Sequence, residues 1–550
     1  MEQFLDKLKH RHSSLEKKRQ TREGNWQEIA EYMLPSRELL FHSKETESKI
    51  AGEKIFDSYP LHALGLLADG MFGHLVAPSI QWFKTRIADE RMNERKQVRG
   101  WLQQVDKGLY SAFDRSNFYN SMAQFLLDGA GLGTAVMYIE EDLEEGKIIY
   151  STRHLLECYI DQNFKGEVDT VYRKFKLSAR QAVDKFGEEN LSEMIKESLR
   201  DRPYDEFDFI HAVFPVKEAE DAFPEDARFA SYYFEPSGKK ILKKGHYRSF
   251  PYAVWRWRVD SHEVYGRSPA FDALWDVKGL NRMAETMIMA AQKAADPPLQ
   301  IPSEMKNKVR NVPSGANYYE DPGRMIQPLV TGANYPIGID QQNQKMEAVK
   351  QHFKVDFFLM LAEANREMTA TEIMERQSEK VAVLGATIGA FTGALGKIID
   401  RTYEIELEAG RIPPVTEDIA EISEANIDIE YLGPLAQAQK RLSRSQGIMR
   451  SLEALMPIMQ VNQDVGMNID WHELAREIMT ANGMPENIVR SRDEVEQELA
   501  QRAQMAQQEM QRQSLETLGK SNALNQRPEA GSVMAQMTGA ENGLVPQGAG

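Results

Sequence analysis

Cysteine is nearly absent, with Cys158 the only one in 550 residues. A lone thiol excludes an internal disulfide framework and any cysteine-rich zinc or iron–sulfur site, and it suits a reducing compartment. The ordinary reading of Cys158 is a small buried hydrophobe. Long hydrophobic runs are missing as well. The opening stretch MEQFLDKLKHRHSSLEKKRQTREGNWQEIAEYM alternates charge with apolar residues and lacks the continuous apolar core of a secretory signal. The uncharged run Val381 to Gly396 is bounded by Lys380 and Lys397, and glycine, alanine and threonine fill ten of its sixteen positions. A spanning helix needs roughly 17 to 25 predominantly apolar residues, so this run is short and weakly hydrophobic for a membrane. Positive charge is in deficit too: the formal net charge is −16. That excludes the basic coat with which most duplex-binding proteins displace counterions. It leaves room for a protein past which DNA slides without being gripped.

Catalytic patterns are equally scarce. The ending GALGK, Gly393 to Lys397, resembles a phosphate loop, but Phe391 and Ile398 stand where that motif requires glycine and Ser or Thr. GAGLGT, residues 129–134, lacks the spacing of a dinucleotide turn, and close packing accounts for its glycines. His262–Glu263 and His472–Glu473 belong to no two-histidine zinc helix, and the SxxK strings at Ser14 and Ser237 lie in charged surface contexts. Glu140, Glu141, Asp142, Glu144 and Glu145 crowd one turn without the alternating ligands and central glycine of a calcium loop, so a solvated acidic hairpin tip is expected. The expectation is a non-enzyme with no cofactor, no catalytic residue and no metal site.

What the sequence does hold is the composition of a folded protein, 42% apolar and 27% charged, in a chain too long for one core. The fold class it predicts is α+β, predominantly helical. Residues up to about 130 carry helical periodicity, with Ser58 as a cap and Pro60 in the first turn of one helix. Strand alternation takes over from TAVMYIEEDLEEGKIIYSTRHLLECYI and recurs in FDFIHAVFPV, ARFASYYFEP and HYRSFPYAVWRWRV. In the last, Trp255 and Trp257 alternate with Arg256 and Arg258; burial in a small sheet and base stacking beside a basic face are both open. A long helix then starts at Ser268–Pro269 and is stopped by Pro297–Pro298, with Phe271, Leu274, Val277, Leu280, Met283, Met287, Ala291 and Ala294 as its seam. A turn-rich module follows, then a returning helix and a very long helix opened by a Thr369/Glu372 capping box. Gly385, Gly389, Gly393 and Gly396 put a nearly side-chain-free stripe on that last helix. Interior glycines cost up to about 1 kcal/mol each relative to alanine, so the stripe points to a tight helix contact. Near the end, Val495, Leu499, Ala503, Ala506 and Met510 form a stripe too narrow for a core, suited to a helix shared among subunits.

FPYAVWRWRVDSHEVYGRSPAFDALWDVKGLNRMAETMIMAAQKAADPPL resembles the head-to-tail connector, or portal, family of short-tailed double-stranded DNA phages. DSYPLHALGLLADGMFGHLVAPSIQWFKTRI and TATEIMERQSEKVAVLGATIGAFTGALGKIIDRTYEIELE extend the likeness, which covers residues 20 to 515 through element order. The resemblance implies a portal fold: a wing at 1–267, stem helices at 268–296 and 341–363, a clip at 297–340 and a channel loop at 364–370. It places a long wing helix at 371–411, a crown at 412–485 and a C-terminal helix or barrel at 486–518, while few charges and many Gly, Gln and Asn predict a disordered tail at 519–550. It implies a homo-oligomeric ring of roughly twelve subunits at one capsid vertex of a virion assembled in the host cytoplasm. The implied partners are double-stranded DNA in transit, the terminase large subunit, tail adaptor proteins, and major capsid and scaffolding proteins. Asn365, Arg366, Glu367, Met368 and Thr369 would face the channel, and Lys306, Lys308 and Arg310 would form a basic clip patch facing DNA or a docked partner. No membrane contact is expected. The alternative is a peripheral or inserting membrane protein that uses residues 381–398, and a third reading is a nuclease or ATPase of a packaging motor.

Overall fold

The computed structural model describes residues 2–38, 54–87, 90–93, 95–295, 299–300, 327–328, 335–356, 358–359, 370–414 and 427–432, with isolated positions between 455 and 510. The chain is mixed α and β with helix in excess, and it divides into two units, Met1–Leu442 and Ser443–Gly550. Among the described residues of the first unit, helices α1 (Glu2–Met33), α2 (Pro35–Glu38), α3 (Tyr59–Leu75), α4 (Glu90–Asn93), α5 (Lys96–Arg115) and α6 (Phe118–Leu132) come with a single strand between them, β1 (Phe83–Ile87). Strands β2 (Thr134–Asp142), β3 (Lys147–Arg153), β4 (Cys158–Gln162) and β5 (Val168–Ser178) lead into α7 (Ala179–Phe186) and α8 (Glu193–Asp201). Then come β6 (Glu206–Pro215), β7 (Phe229–Phe234), β8 (Ile241–Tyr247) and β9 (Tyr252–Arg256). The rest is α9 (Pro269–Ala295), β10 (Leu299–Gln300), β11 (Gln327–Pro328), α10 (Tyr335–His352), α11 (Ala370–Glu408) and β12 (Ile427–Tyr431).

Two antiparallel sheets organise the strands, three-stranded β3-β2-β9 and five-stranded β4-β5-β6-β7-β8, beside the small pairs β1-β12 and β10-β11. HYRSFPYAVWRWRV, read as one strand from the sequence, is two. β8 ends the larger sheet, and β9 joins the smaller one, where the Pro251 carbonyl accepts from Ile139 N at 2.9 Å. Proline has no N–H to give a ladder, which is why the chain changes sheets there. Helix α1 spans both cores: Phe4, Leu5, Leu8 and Leu15 pack against the larger sheet, and Trp26, Ile29 and Met33 enter the main core.

Local chemistry sets the helix ends. α3 starts where the sequence predicts, but Ser58 makes no side-chain cap; Asp57 Oδ1 accepts from Tyr59 N at 2.9 Å in its place. The carboxylate is the better acceptor for an exposed N–H at a positive helix end. Gly133 closes α6 at φ 80°, and a Cβ there would lie 2.5 Å from the Gly266 carbonyl oxygen. The same tightness explains Gly129, whose virtual Cβ would sit 2.2 Å from the Trp255 ring, and Gly131, 2.4 Å from Leu34. Close packing is therefore what GAGLGT encodes. Cys158 is buried, and burial pushes its thiol up to about 12. Trp255 is fully buried against Phe125, Trp257 and Phe391. Arg256 is spent on Gln162 and the Val264 carbonyl, and Arg258 reaches Asp272, so of the two readings of that strand the sheet core holds.

In the second unit the described positions are mostly helical; Val495 is half-buried, Met505 and Met510 are exposed, and Arg502 pairs with Glu498 at 2.9 Å. Leu499, Ala503 and Ala506 of the narrow stripe, and the tail at 519–550, lie outside the described residues.

Candidate assembly surface

Helix α11 runs 39 residues, which at 1.5 Å per residue is about 58 Å. Its predicted capping residue Thr369 lies outside the described residues. Ile388, Phe391, Ala394, Leu395, Ile398, Ile399 and Ile405 recur at three- and four-residue spacing and are buried in the main core. Polar bolts fix the C-terminal half. Tyr150 Oη lies 2.7 Å from Thr402 Oγ1, and burial pushes the Tyr150 phenol up, well above its ordinary value. Glu406, with its side chain 1% exposed, takes both Arg115 at 3.2 Å and Arg411 at 2.9 Å. Two guanidiniums on one buried carboxylate leave no uncompensated anion, so the arrangement holds only while both partners are present.

The opposite face carries the glycines, and the structure divides them. Gly385 is half-buried. Gly396 lies under β12, where a Cβ would meet Tyr431 Oη at 3.5 Å, and that hydroxyl donates to the Thr392 carbonyl at 2.6 Å. Gly389 and Gly393 are exposed, and a Cβ on either would meet nothing within 4 Å. Among the described residues, the tight contact predicted for the stripe is thus not made at those two positions. The apolar side chains of 388–398 are used by the protein's own core, and among the described residues no helix is long and apolar enough to cross a membrane.

Helices α9 and α10 form an antiparallel pair. Lys345 Nζ meets Asp276 at 2.7 Å, and farther along Gly338 leaves room for Met287, whose Sδ would be 2.7 Å from a Cβ. The Ser268 hydroxyl donates to the Gly131 carbonyl at 2.6 Å, seating the start of α9 against the end of α6. Coverage along the seam is uneven. Leu274, Val277 and Leu280 are buried, Met283 and Met287 half-buried, and Ala291 and Ala294 exposed. From Glu285 onward α9 has no buried residue, and Ile288, Met289 and Ile339 stand in the open. Trp275 is 76% exposed, with Lys278 over its ring at 5.2 Å. Sequence periodicity missed it because it falls off the apolar seam; an aromatic at an otherwise polar position was the available signal.

The returning helix departs from the sequence reading of 341–363. It begins at Tyr335 with Pro336 in its first turn, inside the stretch read as clip, and breaks after His352. Lys354 adopts φ 54°, which a regular helix cannot contain. Helical backbone resumes at Val355, and the break turns Phe358 onto Gly70, where a Cβ would lie 2.2 Å from its ring. The channel-loop residues Asn365, Arg366, Glu367, Met368 and Thr369 and the clip residues Lys306, Lys308 and Arg310 lie outside the described residues.

Among the described residues, the C-terminal half of α9 and the positions Gly389 and Gly393 of α11 are left exposed. Residues 5–489 match the family model described as bacteriophage head to tail connecting protein, and the chain belongs to that family. Among its curated relatives, the portal protein of Salmonella phage epsilon15 is 26% identical over 547 residues, 96% of this chain and 97% of that protein. A probable portal protein of Bordetella phage BPP-1 is 29% identical over 453 residues, 79% of each chain. The function is that of a phage portal, a structural component associated with capsid and tail.

Proposed function

We propose that copies of this chain close into a ring of roughly twelve around a channel for double-stranded DNA at one capsid vertex, assembled in the host cytoplasm. The observation that carries this reading is the uncovered half of the α9–α10 pair. Apolar side chains left exposed along two helices, Ile288, Met289 and Ile339 among the described residues, are stabilised when identical neighbours cover them. In the ring, Gly389 and Gly393 receive the backbone of an adjacent copy, and Trp275 is an anchor of the kind that dominates interface energy. Residues 1–267 and 371–411 act as wing, α9 and α10 as stem, 297–334 as clip and 412–485 as crown, with 486–518 as a C-terminal helix or barrel.

The channel loop Asn365, Arg366, Glu367, Met368 and Thr369 meets the DNA, and Lys306, Lys308 and Arg310 meet DNA or a docked protein. The terminase large subunit docks during packaging and tail adaptor proteins afterwards, with major capsid and scaffolding proteins around the rim. An overall charge of −16 suits a conduit that must not hold its cargo. Negative-stain imaging of the purified chain tests the proposal, and a ring with a central hole is expected. Trp275→Ala is expected to lower the ring fraction while leaving the melting of the unassembled chain unchanged. A chain that stays monomeric at every concentration up to its solubility refutes the ring.

A further inference from the structure

A hollow of about 480 Å³ opens where the end of β9 meets α9, α10 and α11. Trp257, Pro269 and Ala348 line it, and all three are half-buried, so part of their apolar surface faces the space. Arg258, Arg267 and Lys354 line it as well, against one acid, Asp272. Arg258 reaches Asp272 at 3.3 Å, and Arg267 reaches Glu263 at 2.7 Å. Lys354 is exposed and makes no ion pair among the described residues. In a chain of charge −16 this is a local cationic hollow with apolar walls. Its Thr387 and Asp272 stand two residues from Gly389 and three from Trp275, so it is continuous with the surface assigned above to the ring.

The complementary shape sits at the tip of the β2–β3 hairpin. Leu143 is 85% exposed there, with Asp142 before it and Glu144 and Glu145 after it. The turn is held in place: Asp142 Oδ1 accepts from Glu144 N at 3.0 Å, Gly146 N donates to the Asp142 carbonyl at 2.8 Å, and Glu141 pairs with Arg411 at 3.1 Å. Knob and hollow lie at opposite ends of one strand. Where β2 begins, the Gly133 carbonyl accepts from Trp257 N at 3.0 Å and Thr134 Oγ1 accepts from Gly266 N at 2.8 Å, which seats that end beside the hollow. Asp142 closes the strand eight residues on, about 26 Å away at roughly 3.3 Å per residue. β2 is the centre of its sheet, between β3 and β9, so the tip cannot fold back into its own hollow. It can enter that of another copy, and such a contact runs head to tail, the kind that closes rings.

We propose that the Leu143 tip of one copy seats in this hollow of the next, with Leu143 against Trp257, Pro269 and Ala348 and the tip carboxylates beside Arg258, Arg267 and Lys354. The inference rests on the ring reading above and names two surfaces that meet in it. An apolar knob ringed by acids matches apolar walls ringed by cations in both hydrophobicity and charge sign. Because both halves of the match belong to the same chain, the occupant is a second copy.

Disulfide crosslinking of the assembled full chain tests it. Leu143→Cys/Ala348→Cys under mild oxidation is expected to give a ladder of covalent species beyond the dimer on a non-reducing denaturing gel, since each chain offers a knob to one neighbour and a hollow to the other. Each single variant is expected to give no ladder, the native Cys158 being buried. Leu143→Ser, a change at an exposed turn, should raise the concentration for half-assembly about tenfold without moving the melting of the unassembled chain. Rings whose double variant stays uncrosslinked overturn this contact and leave the ring standing. A ladder that stops at the dimer overturns it too, because that marks a two-fold contact, as does Leu143→Ser assembling at the wild-type concentration. Ala348→Cys shielded from maleimide in rings, yet never joined to Leu143→Cys, assigns the hollow to another occupant and overturns the seating. A wild-type chain that stays monomeric overturns the contact and the ring together.

Discussion

Replacing Gly389 and Gly393 by alanine separates the stability of the folded chain from its assembly, because the two should move in opposite directions. Both positions are inside a 39-residue helix, both are exposed, and a methyl group on either meets no atom within 4 Å. Alanine therefore brings only its conformational advantage, about 0.8–1.0 kcal/mol per site in a helix interior. The pair should add about 2 kcal/mol if the sites act independently. Urea unfolding of the unassembled chain, followed by helical circular dichroism, is expected to show a later transition for the double variant. In the proposed ring the same two methyl groups would enter a backbone-to-backbone contact, where overpacking costs about 1–3 kcal/mol per site, and the penalty would recur at each interface. Mass photometry should then show fewer closed rings from a chain that is itself more stable. Rings of Gly389→Leu/Gly393→Leu forming as readily as wild type would refute the idea that a neighbour packs on the stripe. A destabilised unassembled double-alanine chain would refute the open surface itself.

Gly129→Ala has the opposite character, since its methyl group would sit 2.2 Å from the Trp255 ring, which is itself held between Phe125, Trp257 and Phe391. A loss of about 1–3 kcal/mol is expected, measured as an earlier unfolding transition with Trp255 fluorescence shifted; an unchanged transition would show that the indole can move aside. Acid sensitivity should come in part from His154 and in part from the buried His211; burial, with the nearby Arg37 and Arg19, pulls His154 down to about 3. The neutral ring is the folded form, so the stability it supports is present above the ordinary value of 6.5 and drains away as pH falls toward 3. At pH 5 the loss relative to pH 7 is about 2 kcal/mol. His154→Gln, which can still accept from Leu156 N, should flatten that slope, and equal slopes for the two proteins would remove His154 as the cause.

Much of this fold was legible in order and periodicity. The start and stop of α9, the length of α11, the strand-rich middle and the acidic hairpin tip follow from prolines, spacing and alternation, all of which act within a few residues. The misread places are those where a distant group intervenes. Asp57 displaced Ser58 as cap, Pro251 sent one apparent strand into two sheets, and the α10 helix broke at Lys354 so that Phe358 could reach Gly70. The pairing of β1 with β12 had no local signal to announce it, whereas α7 did carry one that went unread, the Ser178–Gln181 capping box before it and Gly187 after it.

Composition and pattern alone determined that this is a folded, acidic, disulfide-free chain of long helices and a strand-rich region, because hydrophobic periodicity and backbone-restricting residues act through the chain itself. Which glycines are occupied and which are open could come only from tertiary structure. Gly129, Gly131 and Gly396 touch neighbours from elsewhere in the chain, while Gly389 and Gly393 touch none among the described residues. A missing side chain has the same letter in both cases, and only the atoms standing opposite it decide whether the space is filled.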